Sequence, residues 1–186
     1  MTRCFIAVEM NEKSVIDNIL AFQKSIVNTG SDLKLVELAN IHITLVFLGE
    51  ISKAHVEMVQ REMAEVKFKP FEVELKEVGA FPNLNRINVI WIGIQRGAME
   101  LNAIYSQLES RLRKTGFQLD NRGFSPHITI ARVRSGRNRE KLADIISEAK
   151  NMNFGIVQVK SIKLQKSILT PEGPLYSTLY ETVTTN

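Results

Sequence analysis

The chain of 186 residues has one cysteine, one tryptophan and three histidines. A single cysteine excludes an internal disulfide and is compatible with a reducing compartment. Cys4 lies in the apolar run Cys4-Phe5-Ile6-Ala7-Val8, where a thiol reads as a small buried hydrophobe rather than a nucleophile. No His-x-x-x-His or Cys-x-x-Cys is present, so the ligand spacing of a zinc site is missing. The glycine-rich loops that cradle ATP or a dinucleotide, Gly-x-x-x-x-Gly-Lys-Ser/Thr and Gly-x-Gly-x-x-Gly, are also lacking. No apolar run approaches the length of a bilayer span, and Met1-Thr2-Arg3-Cys4-Phe5 has no secretory character. The expectation is a cytoplasmic protein with no membrane association, no metal and no cofactor.

Hydrophobic residues make up 44% and charged residues 24% of the chain, a globular composition that can bury a core without disulfides or a structural metal. The net charge of +4 is mildly basic. Its distribution is more telling, because Arg132, Arg134, Arg137, Arg139 and Lys141 are interrupted by only one acid, Glu140. Such a run reads as a solvated loop leading into a helix or as a contact for an anionic partner.

Strands and helices alternate along the whole length without a linker, so 1–186 reads as one domain. A buried strand is expected over 2–8. Val15, Ile19, Phe22 and Ile26 then keep helical spacing within 12–28, with Gly30 as the stop. Strands come next at 33–36 and 41–48, the latter ending at Gly49, then a helix over 53–66 barred by Pro70. Strands at 71–80 and 87–95 flank the loop Phe81-Pro82-Asn83-Leu84-Asn85-Arg86. A helix over 98–114 stops at Gly116. A strand at 125–133 precedes a helix near 137–150. Strands at 157–168 and 175–183 close the chain around the turn Thr170-Pro171-Glu172-Gly173-Pro174.

Two of the strands share a pattern. Ile41-His42-Ile43-Thr44-Leu45 and Pro126-His127-Ile128-Thr129-Ile130 repeat a His-Ile-Thr-aliphatic core about half a chain apart, which points to two pseudo-symmetric lobes. Side chains alternate across a strand, so each motif presents an imidazole and a hydroxyl on one face and packs aliphatic residues on the other. Two such pairs meeting across a groove suit phosphodiester chemistry. One imidazole deprotonates water while the other protonates the departing oxygen. Histidine supplies both forms because its pKa is roughly 6.5, and the hydroxyls donate to the phosphate oxygens. The third histidine, His55, lies in the polar stretch Lys53-Ala54-His55-Val56-Glu57 and reads as exposed.

At these motifs the sequence resembles the 2H phosphoesterases, and within them the RNA 2′,3′-cyclic phosphodiesterase (2′–5′ RNA ligase) family. The likeness extends through Phe5-Ile6-Ala7-Val8, Phe47-Leu48-Gly49-Glu50, Val89-Ile90-Trp91-Ile92-Gly93-Ile94, Phe124-Ser125-Pro126, Ser167, Leu169, Gly173-Pro174 and Tyr176. The resemblance implies an α+β fold of two lobes, each a mainly antiparallel sheet with helices packed outside, around a central groove. It implies metal-independent opening of an RNA terminal 2′,3′-cyclic phosphate to a 2′-phosphate, with reversible joining of 2′–5′ linked ends, by a monomer. His42 is then the proton donor, His127 the proton acceptor, and Thr44, Thr129 and Arg132 the phosphate contacts.

Strict alternation from His127 sends Arg132 to the wrong face, so its role requires a bulge or a strand end. Two positions depart from the family. Leu35 stands where relatives often carry tryptophan, a change expected to affect packing. Val46 stands where lysine or arginine is common, in register with His42 and Thr44. Two alternatives keep the fold: a nucleotide- or RNA-binding module, and a phosphodiesterase for a small cyclic nucleotide.

Overall fold

Helix α1, Lys13–Val27, buries Val15, Ile19, Phe22, Gln23 and Ile26, a stripe spaced by threes and fours that needs a sheet to lie on. The computed structural model describes residues 1–120, 123–171 and 173–184, and it supplies that sheet as nine strands. These are β1 Thr2–Glu9, β2 Leu33–Leu35, β3 His42–Ile51, β4 Phe71–Asn83, β5 Arg86–Ile94, β6 His127–Val133, β7 Asn153–Val159, β8 Ser161–Leu169 and β9 Pro174–Val183. The other helices are α2 Lys53–Ala64, α3 Ala98–Lys114 and α4 Arg139–Glu148.

The strand order is β7-β4-β5-β6-β3-β1-β8-β9, with the short β2 also beside β6. The pairings among the described residues are antiparallel. The expected two lobes are the halves of this one sheet: β3-β1-β8-β9 and β6-β5-β4-β7. They join through a single matched pair, Ile43 opposite Ile128, so the two His-Ile-Thr motifs meet at the centre. Helices α2 and α3 pack with the first half, and α1 and α4 with the second. The lobes are therefore not the first and second halves of the chain; α1 crosses beneath the lobe built from later strands.

Three expected boundaries change. Strand β3 does not end at Gly49 but runs through it to Ile51. Gly49 takes φ +71°, and Cys4 and Phe5 pair with Gly49 and Phe47, so Leu48 is the extra residue of a bulge. Strands β4 and β5 extend to leave only Leu84-Asn85 between them, and the Asn83 side-chain oxygen accepts from the Asn85 and Arg86 amides. The single strand expected at 157–168 is two, β7 and β8, at widely separated places in the sheet. Glu172 of the predicted closing turn lies outside the described residues.

One core of buried aliphatic side chains runs beneath both halves and includes Ile43, Ile128 and Cys4. Burial pushes the Cys4 thiol pKa up, against a smaller opposing effect of Lys166, in keeping with its reading as a buried hydrophobe. His55 is exposed at the start of α2, where its amide donates to the Ser52 cap at 3.2 Å. No helix among the described residues is long and apolar enough to cross a membrane.

Candidate active site

Burial of Ile43 and Ile128 in the core turns His42, Thr44, His127 and Thr129 to the opposite face, and all four line one cavity of ≈ 490 Å³. The two imidazoles are held alike. His42 Nδ1 lies 2.7 Å from the Asn40 carbonyl oxygen, and His127 Nδ1 lies 2.7 Å from that of Ser125. A carbonyl only accepts, so in both rings Nδ1 carries a proton and donates two residues back along the chain. That leaves Nε2 as the working nitrogen on each side. His42 Nε2 is 2.9 Å from Thr44 Oγ1, which donates to it when the ring is neutral.

Immediately after each threonine the strand bulges. Ala7 pairs with Thr44 and Ile6 with Val46, so Leu45 is the extra residue in β3. Trp91 pairs with Thr129 and Ile90 with Ala131, so Ile130 is the extra residue in β6. Both residues after each threonine are buried, Leu45 and Val46 on one side, Ile130 and Ala131 on the other. Alternation then resumes one residue late and brings Phe47 and Arg132 into the cavity wall. The requirement for a bulge at Arg132 is thereby met. The expectation for Val46 is corrected: it is 4% exposed and belongs to the core, so its apolar character removes no groove contact.

The β6 bulge is clamped from below. Gln23 of α1, 2% exposed, donates through Nε2 to the Ile130 carbonyl at 2.9 Å and the Val36 carbonyl at 2.8 Å. The Val36 amide also donates to the Ile130 carbonyl at 2.9 Å. One buried amide thus ties the bulge to the segment carrying Lys34, Leu35, Val36 and Glu37, all of which line the cavity. Leu35 faces the groove and is 37% exposed, so its departure from tryptophan falls on the cavity wall rather than in the core.

Aromatic rings back each histidine. Phe5 and Tyr176 lie 4.9 and 5.5 Å from His42 between ring centroids, while Phe81 and Trp91 lie 5.1 and 6.5 Å from His127. Trp91 lies flat on Gly79, where a Cβ would come within 2.1 Å of the indole. The residue pattern alone assigns no site role to Arg3, Phe5 or Lys34, yet all three line the cavity. The alternation Arg3-x-Phe5 on β1 is the available signal, and it puts the exposed Arg3 on the groove face.

Electrostatics also shape the site. Burial lowers the pKa of His42 below its ordinary 6.5, and the charge of His127 adds to this. The bond to Asn40 and the carboxylate of Glu9 oppose it. Glu9 is itself held by Lys163 at 2.5 Å and by Gln165 at 2.6 Å. Burial raises the Tyr176 pKa, with the charges of Arg132 and Arg3 opposing; all three side chains line the cavity. Among the described residues no three His, Cys, Asp or Glu side chains are grouped as a metal site requires.

The sequence model of the AKAP7 2′5′ RNA ligase-like domain matches residues 3–183. A curated RNA 2′,3′-cyclic phosphodiesterase of Aeropyrum pernix is 39% identical over 90% of this chain and 95% of its own. One from Archaeoglobus fulgidus is 36% identical over 95% and 97%. Among solved structures, Escherichia coli LigT complexed with 3′-AMP aligns with a TM-score of 0.82 at 22% identity, covering 100% of this chain and 99% of that one. This likeness shows the shared fold. With the paired His-x-Thr strands set symmetrically about one groove, these matches show that the chain belongs to the 2′–5′ RNA ligase-like family of 2H phosphoesterases.

Proposed function

We propose that this protein opens the 2′,3′-cyclic phosphate at an RNA end to leave a 2′-phosphate, with the reverse 2′–5′ joining available at the same site. The observation that carries the reading is the pair of imidazoles, each pinned through Nδ1 to a backbone carbonyl and each lining the same cavity. Curated relatives named for this activity, 32–39% identical over nearly the whole chain, support it.

In the proposed step His127 Nε2 takes a proton from water as the water oxygen bonds to phosphorus. The bond from phosphorus to O3′ breaks, and His42 donates its proton to O3′. Thr44 and Thr129 hydroxyls donate to the non-bridging oxygens, and Arg132 holds their charge. Burial lowers the His42 pKa and so favours the neutral ring in the empty groove; the negative charge of the bound phosphate favours its protonation. The same lowering favours a second reading in which His42 is the base and His127 the acid. Beyond the phosphate, Lys34, Arg134 and Arg137 extend the positive charge of Arg132 toward the RNA backbone. We read the enzyme as a cytoplasmic monomer and a single bilobal unit, a reading supported by both histidine motifs of the groove lying on one chain.

The test is hydrolysis of a short RNA ending in a 2′,3′-cyclic phosphate, with EDTA present and the product phosphate mapped. Wild type is expected to turn over, while His42→Ala and His127→Ala each lose about 10²- to 10⁴-fold in kcat. Binding without turnover by wild type would instead favour a binding module. Persistent activity in either variant would overturn the two-histidine mechanism.

A further inference from the structure

Asn40 stands two residues before His42, and its backbone carbonyl accepts the Nδ1 proton of that ring at 2.7 Å. The residue is 9% exposed, a rare place for an amide side chain unless its polar atoms are met. It ends the short turn Leu38–Asn40, where its amide donates to the Glu37 carbonyl at 2.8 Å. Its side chain reaches outside that turn. Nδ2 donates to the Pro174 carbonyl at 2.9 Å, 134 residues away along the chain.

Pro174 opens β9, and the turn before it is itself closed: the Thr170 amide and hydroxyl both donate to the Gly173 carbonyl, at 3.0 and 2.8 Å. Two residues further on, the Tyr176 ring stands nearly perpendicular to His42, with 5.5 Å between centroids. The start of β9 therefore reaches His42 by two routes, through the Tyr176 ring and through Asn40. Asn40, Gly173, Pro174 and Tyr176 all line the cavity with His42, so the tie is part of the groove wall. What it controls is a proton. A neutral histidine in water prefers its proton on Nε2, the form in which Nε2 has no lone pair to offer. A carbonyl facing Nδ1 reverses that preference only while it is held in place.

We propose that Asn40 is the positioning residue of His42: tied to the start of β9, it fixes the carbonyl that keeps the imidazole proton on Nδ1 and leaves Nε2 to work in the groove. The proposal rests on the phosphodiesterase reading and deepens it. Asn40 acts through His42 alone and makes no contact with the substrate phosphate. Its loss therefore lowers turnover rather than affinity, and leaves the Pro174 carbonyl without this donor.

Asn40→Ala and Asn40→Leu both remove the donor, the second at nearly the same volume. NMR of isotopically labelled histidine at about pH 8.5, where the groove imidazoles are neutral, reads the tautomers. In wild type His42 and His127 both carry the proton on Nδ1. In each variant the Nε2–H form of His42 appears while His127 is unchanged, so the second ring is an internal control. On a short RNA ending in a 2′,3′-cyclic phosphate, kcat falls about 10- to 100-fold and KM moves less than about twofold. Thr182→Val is the structural control, because it deletes the hydroxyl bond from Thr182 to the Met63 carbonyl (3.1 Å) near the other end of β9. It lowers stability and leaves the His42 tautomer and kcat as in wild type. An unchanged His42 tautomer in both Asn40 variants, an unchanged kcat, or His127 signals that shift as much as those of His42 would overturn the proposal. If wild type does not turn over the RNA, the phosphodiesterase reading fails. The His42 tautomer alone then decides whether Asn40 positions the ring.

Discussion

The His42 half and the His127 half of the groove share one plan down to the backbone. Each has a histidine anchored by Nδ1 to the carbonyl two residues earlier, a threonine two residues later, and a two-residue bulge with both side chains buried. Each also has two aromatic rings from neighbouring strands behind the imidazole. The halves part company at the first residue past the bulge: an apolar ring, Phe47, on one side and a cation, Arg132, on the other. On the Phe47 side, burial also lowers the proton affinity of the His42 imidazole. Symmetry turns the two imidazoles into one groove, where the proposed mechanism uses them on either side of one phosphorus, and the asymmetry distinguishes their surroundings.

The largest effect comes from breaking that symmetry of roles. Protonation of the leaving oxygen matters only when the leaving group is a poor one. With the ribose leaving group both His42→Ala and His127→Ala lose about 10²- to 10⁴-fold in kcat. On a phosphodiester with a nitrophenolate leaving group, His42→Ala is expected to recover most of its loss and His127→Ala to recover little. Recovery by His127→Ala instead would reverse the assignment.

The next comparison sets Arg132 against Phe47, the two residues delivered by equivalent bulges. With Arg132 as the proposed phosphate contact, Arg132→Ala is expected to lower kcat/KM about tenfold or more and to flatten the slope of log affinity against log salt by about one. Phe47→Ala leaves that slope unchanged, because an uncharged ring releases no counterion. Affinity measured from low to moderate salt distinguishes them. Equal slopes in the two variants would mean that Arg132 makes no phosphate contact.

Much of this is legible in the residue pattern, and the rest is hidden for identifiable reasons. The stripe Val15, Ile19, Phe22, Ile26 marks α1, and the repeated His-Ile-Thr core marks the candidate site, because both rest on simple periods. The split between β7 and β8 is also written in the sequence. Val157 and Val159 are buried at odd positions and Ile162 and Leu164 at even ones, a phase change that one strand cannot keep on one face. The bulges leave no such trace. Leu45-Val46 and Ile130-Ala131 are all apolar, so the pattern does not reveal which residue is extra, and simple alternation puts Val46 in the groove for that reason. Gln23 is hidden differently, since a polar residue in an amphipathic helix reads as solvent-facing until its two carbonyl partners are known. The exchange of helices between the lobes depends on chain crossings that local pattern does not encode.

The Gln23 clamp gives a smaller effect confined to the His127 half. Gln23→Leu keeps most of the buried volume but leaves the Val36 carbonyl without this donor. The expected cost is about 1–3 kcal/mol of stability, measured as a lower urea midpoint. Because the clamped bulge presents Arg132, the variant should also weaken substrate binding more than it lowers kcat. A stability loss with wild-type KM would show that the bulge holds its shape without Gln23.

The smallest effect is the pH signature of His42, and its sign is set by the site. Burial lowers its folded pKa below the ordinary 6.5, with His127 pressing the same way and the Asn40 carbonyl and Glu9 opposing. Below that ordinary value the unfolded chain therefore binds a proton more readily than the folded one. The folded state keeps its full advantage above about pH 6.5 and loses it as pH falls through the folded pKa. His42→Asn removes the titrating ring, so between about pH 7.5 and 5.5 wild type should lose more unfolding free energy than the variant. Glu9→Gln removes an opposing charge, lowers the His42 pKa further and carries the loss to lower pH. Equal acid slopes for wild type and His42→Asn would show that the half-buried imidazole contributes nothing to the difference between the two halves.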